Sequence, residues 1–108
     1  MRKKLLVRQG DVLIEQVSND PKRSPHKVVP RDGGRIVLAN GEATGHCHAI
    51  HEAGAEMVEL ESGERFVVSE VGIRIVHEEH APIELPPGRY RIGRQREYSP
   101  EEIRNVAD

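Results

Sequence analysis

The sequence predicts an all-β protein, a small antiparallel β-barrel or sandwich closed by a short C-terminal helix. Valine and isoleucine together outnumber leucine more than threefold, and β-branched side chains pack well on a pleated surface. Glycine-containing pairs, Asp32-Gly33, Asn40-Gly41 and Ser62-Gly63, punctuate the chain, and such pairs mark turns between strands. The apolar segments between them are short, as strands are and helices are not.

Taken in order, Asp11 to Val17 reads as a strand introduced by Gly10. Residues 18–30 carry three prolines and several charges without periodicity, which predicts a long mobile surface loop. Strands follow at roughly 35–39, 43–52, 55–61, 64–69, 72–77 and 88–95, the last set off by Pro86-Pro87-Gly88. Ser99-Pro100-Glu101-Glu102 has the capping residues of a helix start. Ile103 and Val106 would dock that helix, over 99–107, on the β body.

A chain of 108 residues fits one domain, 1–108, with one modest core. Hydrophobic residues at 36% and charged residues at 31% exclude the disordered and membrane-spanning classes. Net charge is −2, so the chain as a whole offers no attractive field for nucleic acid or anionic membranes. The N-terminal Leu5-Leu6-Val7 run stops at Arg8, too short for a secretion signal. A single cysteine, Cys47, fits a reducing compartment, and a cytoplasmic location is expected.

Five of the six histidines fall in two windows: His46-Cys47-His48-Ala49-Ile50-His51, and His77-Glu78-Glu79-His80. On a strand, alternate residues share a face. His46 and His48 therefore continue the face of Ile50, and His77 that of Ile73 and Ile75. Imidazole is a ligand for zinc, iron, nickel and copper, and histidines lined up with apolar faces suit one divalent ion at the mouth of a β-structure. The expected ligands are His46 and His48 with His77 or His80, and Glu52 on the same face as a further donor. His80 needs a turn at Glu78-Glu79 to come back to His77. His51 and Cys47 face away unless the strand is irregular, and Cys47 reads as a small buried apolar residue. The zinc-protease His-Glu-x-x-His pattern is absent, and one cysteine makes no zinc finger.

The stretch from Gly41 to Glu52 resembles the first metal motif of cupins, a glycine before His-x-His with a following glutamate. That resemblance implies a metal-holding barrel with His46, His48 and Glu52 as ligands and a later histidine, His77 or His80, completing them. The second half departs from the cupin pattern: after Pro86-Pro87-Gly88, Arg91 stands where the last histidine belongs. The segment from His77 to Tyr90, with Gln95 to Tyr98, also looks like an uncharacterised group of small bacterial and phage proteins. A fainter similarity, to the co-chaperonin barrel, lies in Gly10-Asp11-Val12-Leu13 and Gly33-Gly34-Arg35-Ile36-Val37-Leu38, and it has no place for the histidines.

Arg89, Arg91, Arg94 and Arg96, with Tyr98, form the one locally basic stretch. It reads as an outer strand whose arginines pair with glutamates and discourage edge pairing. Its other reading is a grip for phosphates with Tyr98 as a stacking surface, in nucleic acid or a protein partner. Aromatic content of 3% and the negative charge weigh against nucleic acid.

The expected function is thus divalent-metal binding, with zinc, iron or nickel as the cofactor. Three classes follow: a metal-dependent enzyme on a small molecule, a metal sensor or carrier, or a non-catalytic binding module using strand 89–96. A homodimer paired through exposed edges is compatible with any of them.

Overall fold

A computed structural model describes residues 5–40 and 46–94. The described residues form ten strands: β1 (Leu6–Gln9), β2 (Val12–Gln16), β3 (His26–Val28), β4 (Ile36–Asn40), β5 (Cys47–Ile50), β6 (Ala55–Leu60), β7 (Arg65–Ser69), β8 (Ile73–Val76), β9 (Ile83–Leu85) and β10 (Gly88–Arg94). They form two antiparallel sheets, in the orders β1-β2-β10-β7-β6-β3 and β4-β5-β8-β9. No closed barrel forms among the described residues, so of the two architectures expected the open, two-sheet one is found.

Alternation builds the core. Val12 and Ile14, Met57 and Ala55, Val67 and Tyr90 come from the larger sheet. Ile36 and Leu38, Ile50, Ile73 and Ile75, and Leu85 come from the smaller one. Residues two apart along a strand supply one face each, and the two faces bury one another. Tyr90, the largest of these side chains, is fully buried, and its hydroxyl donates to the Pro86 carbonyl at 2.6 Å. Where both faces are covered the alternation disappears. All four residues of β5 are buried, as are Val12, Leu13 and Ile14 of β2.

Three expectations are corrected. Residues 18–30, expected as a loop, carry a 3-10 turn at Pro21–Arg23 and strand β3, which pairs with β6 in the register His26↔Leu60 to Val28↔Val58. Asp20 caps the turn, its side chain accepting from Lys22 N at 3.0 Å. Strand β10 is not an outer strand; it lies between β2 and β7. Two short strands, β1 and β9, also went unforeseen. The expected helix at 99–107 lies outside the described residues.

The chain passes between sheets at β3–β4, β5–β6, β7–β8 and β9–β10, and Arg31 ties the first two of these crossings together. Its guanidinium donates to the carbonyls of Gly34 (2.9 Å), Glu52 (2.6 Å) and Ala55 (2.7 Å). Charged donors to carbonyls are among the stronger hydrogen bonds. Arg31→Leu is expected to destabilise the fold by about 2 kcal/mol, read as a lowered midpoint in urea denaturation.

Candidate histidine-cluster site

The functional candidates meet at one end of the two sheets, where the β1–β2 hairpin faces the start of β5 and the end of β8. That hairpin is tight: Gln9 pairs with Val12, leaving only Gly10 and Asp11 in the loop. Gly10 has φ +60°, as the first central residue of a type II′ turn requires. A β-carbon at Gly10 would stand 2.9 Å from His80 Nε2 and 3.3 Å from His48 Cε1. The bare glycine backbone is therefore the floor on which two of the histidines rest.

Register brings the two histidine windows together. Strands β5 and β8 pair as Ala49↔Val76 and Ile50↔Ile75, so His48 and His77 emerge side by side. Their ring centroids are 4.3 Å apart, tilted by 38°. His46 meets His77 edge-on at 5.9 Å. Strand β8 ends at Val76, and the following turn returns His80 to within 4.7 Å of His77 and 6.0 Å of His48. All four expected histidines thus share one cluster.

Hydrogen bonds assign the proton on three of the rings. Gln9 Nε2 donates to the carbonyls of Ile75 and Ala81, both at 3.0 Å. A flipped amide would set its oxygen against those two carbonyls, so Oε1 must be the atom facing His48 Nδ1 at 2.8 Å. An amide oxygen only accepts, and neutral His48 therefore carries its proton on Nδ1 and leaves Nε2 bare. His46 Nδ1 stands 2.5 Å from the Glu79 carboxylate, which in the neutral ring likewise leaves Nε2 bare. His77 differs: its Nδ1 accepts from Glu79 N at 3.0 Å, so the neutral ring has its proton on Nε2.

His48 is 2% exposed. Burial, seconded by the neighbouring His77, pushes its pKa down from 6.5 to about 4, with the Asp11 carboxylate opposing and His80 and Arg94 reinforcing. It is neutral at pH 7. The Glu78 carboxyl is held below its ordinary range by backbone donors, its own and that of Cys47, the latter at 3.0 Å. Glu59, far along the sheet, is held low by Arg65 and Lys27.

The remaining expected residues lie elsewhere. Glu52 is not brought to the histidines: its carboxylate accepts from Arg74 N at 3.3 Å, at the end of β8 away from His77. His51 is exposed and Cys47 is buried. Arg91 pairs with Glu15 at 3.1 Å, Arg94 with Asp11 at 2.9 Å, and Arg89 donates to the Ser18 carbonyl at 2.7 Å. The pairing with acidic residues expected of this strand is present for two of its arginines; Arg96 and Tyr98 lie outside the described residues. Among the described residues, no three His, Cys, Asp or Glu side chains stand so that, unmoved, they could hold a metal ion. The rings lie over one another, and the His77 nitrogen nearest the turn is engaged.

Gln9 was the functional neighbour that sequence reasoning missed. The signal was there: Gln9 lies two residues after Val7, which packs against the core, so it is a polar residue continuing an apolar face, as the histidines are.

A family model described as "Domain of unknown function (DUF8820)" matches residues 8–95. The chain belongs to this family. The matched span contains Gln9, Gly10, all four clustered histidines and Glu79. No curated protein and no solved structure matches the chain. No helix among the described residues is long and apolar enough to cross a membrane.

Proposed function

We propose that the protein binds one late divalent metal ion (zinc, nickel or ferrous iron) at the cluster of His46, His48, His77 and His80. The observation that carries this reading is the pair of bare Nε2 atoms on His46 and His48, each ring held at Nδ1 by an outer partner. Metal-ligating histidines are oriented in this way, by a carboxylate or an amide or carbonyl oxygen on the far nitrogen. An all-imidazole set suits zinc, nickel, iron and copper over calcium or magnesium. Binding needs the less buried His77 and His80 rings to turn, and a ring rotation is a small barrier beside the free energy of a metal–imidazole bond. The cupin-like ligand set is thereby revised, with histidines taking the place of Glu52.

Holding or sensing the ion is favoured over catalysis. Among the described residues the carboxylates beside the rings are engaged, Glu78 with Cys47 N, Glu79 with His46 and Asp11 with Arg94, so none of these three stands free as an acid/base group. The basic strand supports the binding-module reading less, because two of its described arginines are paired with acidic residues and the third is held by a carbonyl.

Elemental analysis of untagged protein tests the proposal. Near one equivalent of metal is expected, either as purified or after incubation with zinc, nickel or ferrous iron and removal of the excess. Protein that stays metal-free throughout overturns it.

A further inference from the structure

Gln9 is a buried side chain of the β1–β2 hairpin that is hydrogen-bonded to both flanks of the turn carrying His77 and His80. It is 2% exposed and makes three hydrogen bonds. Two of them use both amide hydrogens on carbonyls that flank the second histidine window, Ile75 before it and Ala81 after it. The third presents the amide oxygen to His48.

We infer that Gln9 is a positioning residue for the metal site: clamped by the Ile75 and Ala81 carbonyls, it fixes His48 in the Nδ1–H form and so presents Nε2 to the ion. This rests on the metal reading above and adds to it the device that readies the buried ligand before metal arrives. In solution, neutral imidazole favours the opposite tautomer, with the proton on Nε2, which would block that nitrogen. An acceptor held rigidly at Nδ1 reverses the preference. Glutamine does so without charge, which matters at a place where a buried carboxylate would be costly unless fully paired. Rigid attachment to both flanks of the window also keeps the ring orientation constant while His77 and His80 move.

Because Gln9 acts through its oxygen, substitutions separate its two roles. Gln9→Leu removes acceptor and donors together. Gln9→Glu keeps an acceptor for His48 Nδ1–H but loses the amide donors to the two carbonyls. A residue that served only to brace the fold would be lost equally in both variants.

The experiment combines long-range proton–nitrogen NMR of the histidine rings at pH 7, in metal-free full-length protein, with zinc titration by calorimetry. In the wild type, His48 is expected as the Nδ1–H tautomer. In Gln9→Leu, that tautomer is expected to give way to Nε2–H, with zinc affinity falling about 10- to 100-fold. Gln9→Glu is expected to retain the Nδ1–H form and to bind zinc more tightly than Gln9→Leu. An Nε2–H tautomer in the wild type overturns the inference without recourse to any variant, so a variant that fails to fold does not shelter it. Zinc affinity equal in wild type and folded Gln9→Leu overturns it while leaving the metal reading intact. Wild type that shows the Nδ1–H tautomer but binds none of zinc, nickel and ferrous iron sinks the metal reading, and the positioning role with it.

Discussion

Replacing His46 and His48 together by alanine is expected to lower zinc affinity by more than about 100-fold, beyond what loss of an outer partner costs. Both bare Nε2 atoms disappear in this variant, leaving only His77 and the exposed His80. His48 is buried and is the donor that satisfies Gln9 Oε1, so its removal also leaves a cavity and an unpaired amide oxygen. The double variant could lose metal merely by loosening. His46→Ala/His80→Ala provides the comparison, since it removes two less buried rings and leaves the Gln9–His48 bond in place. Loss of binding in both, with unchanged far-ultraviolet circular dichroism in the second, assigns the loss to the ligands. Retained stoichiometric binding in the folded second variant would show that the ion sits elsewhere.

Metal-free protein is expected to lose stability steeply as pH falls from about 6.5 towards 4, and His48 is the cause. Its folded pKa of about 4 lies below the ordinary 6.5. Above pH 6.5 the ring is neutral in both states and pH has no leverage through it. Between the two values the unfolded chain takes up a proton that the folded chain refuses, so unfolding gains ground as acid is added. By pH 4.5 the effect amounts to roughly 2–3 kcal/mol. The carboxylates held low, Glu59 and Glu78, act mainly below their ordinary 4.5, so the window from 6.5 to 4.5 isolates the histidine. Urea denaturation at pH 7, 5.5 and 4.5, for wild type and His48→Gln in the presence of a chelator, measures it. Wild type should lose the stated stability across the window and the variant should lose little; parallel losses would mean that burial does not hold His48 neutral. Zinc binding should weaken over the same range, because protons compete for the imidazole nitrogens.

Much of the β-structure was legible because its signals are local. Turn chemistry at Gly10, Asp32-Gly33 and Ser62-Gly63 placed the boundaries of β2, β4, β6 and β7, and all three of those turns carry glycines at positive φ. Strand β3 was illegible because its three residues, His26 to Val28, are all exposed; only pairing with β6 makes them a strand. The place of β10 was misread for a related reason. Its arginines suggest a solvated edge, yet the sheet sets it in the middle, where Glu15 and Asp11 neutralise Arg91 and Arg94.

For the candidate site, period-two spacing by itself put His46 and His48 on the face of Ile50, and His77 on that of Ile75. The side chain periodicity of a strand is a local geometric fact, so sequence spacing decides it. What joins those faces is not local. The register Ala49↔Val76, the turn that returns His80, and the placing of Gln9 against His48 depend on pairings between residues far apart in the chain. Those same pairings carried Glu52 to the far end of β8, although its spacing after His46 and His48 is right for a shared face. Composition, turns and alternation thus determined that this is a two-faced β protein with histidines in its apolar rows. Only tertiary structure decided which histidines meet, which ring nitrogens of His46, His48 and His77 are hydrogen-bonded, and that a glutamine rather than a carboxylate bonds the buried ring, because long-range hydrogen-bond register has no signature in neighbouring residues.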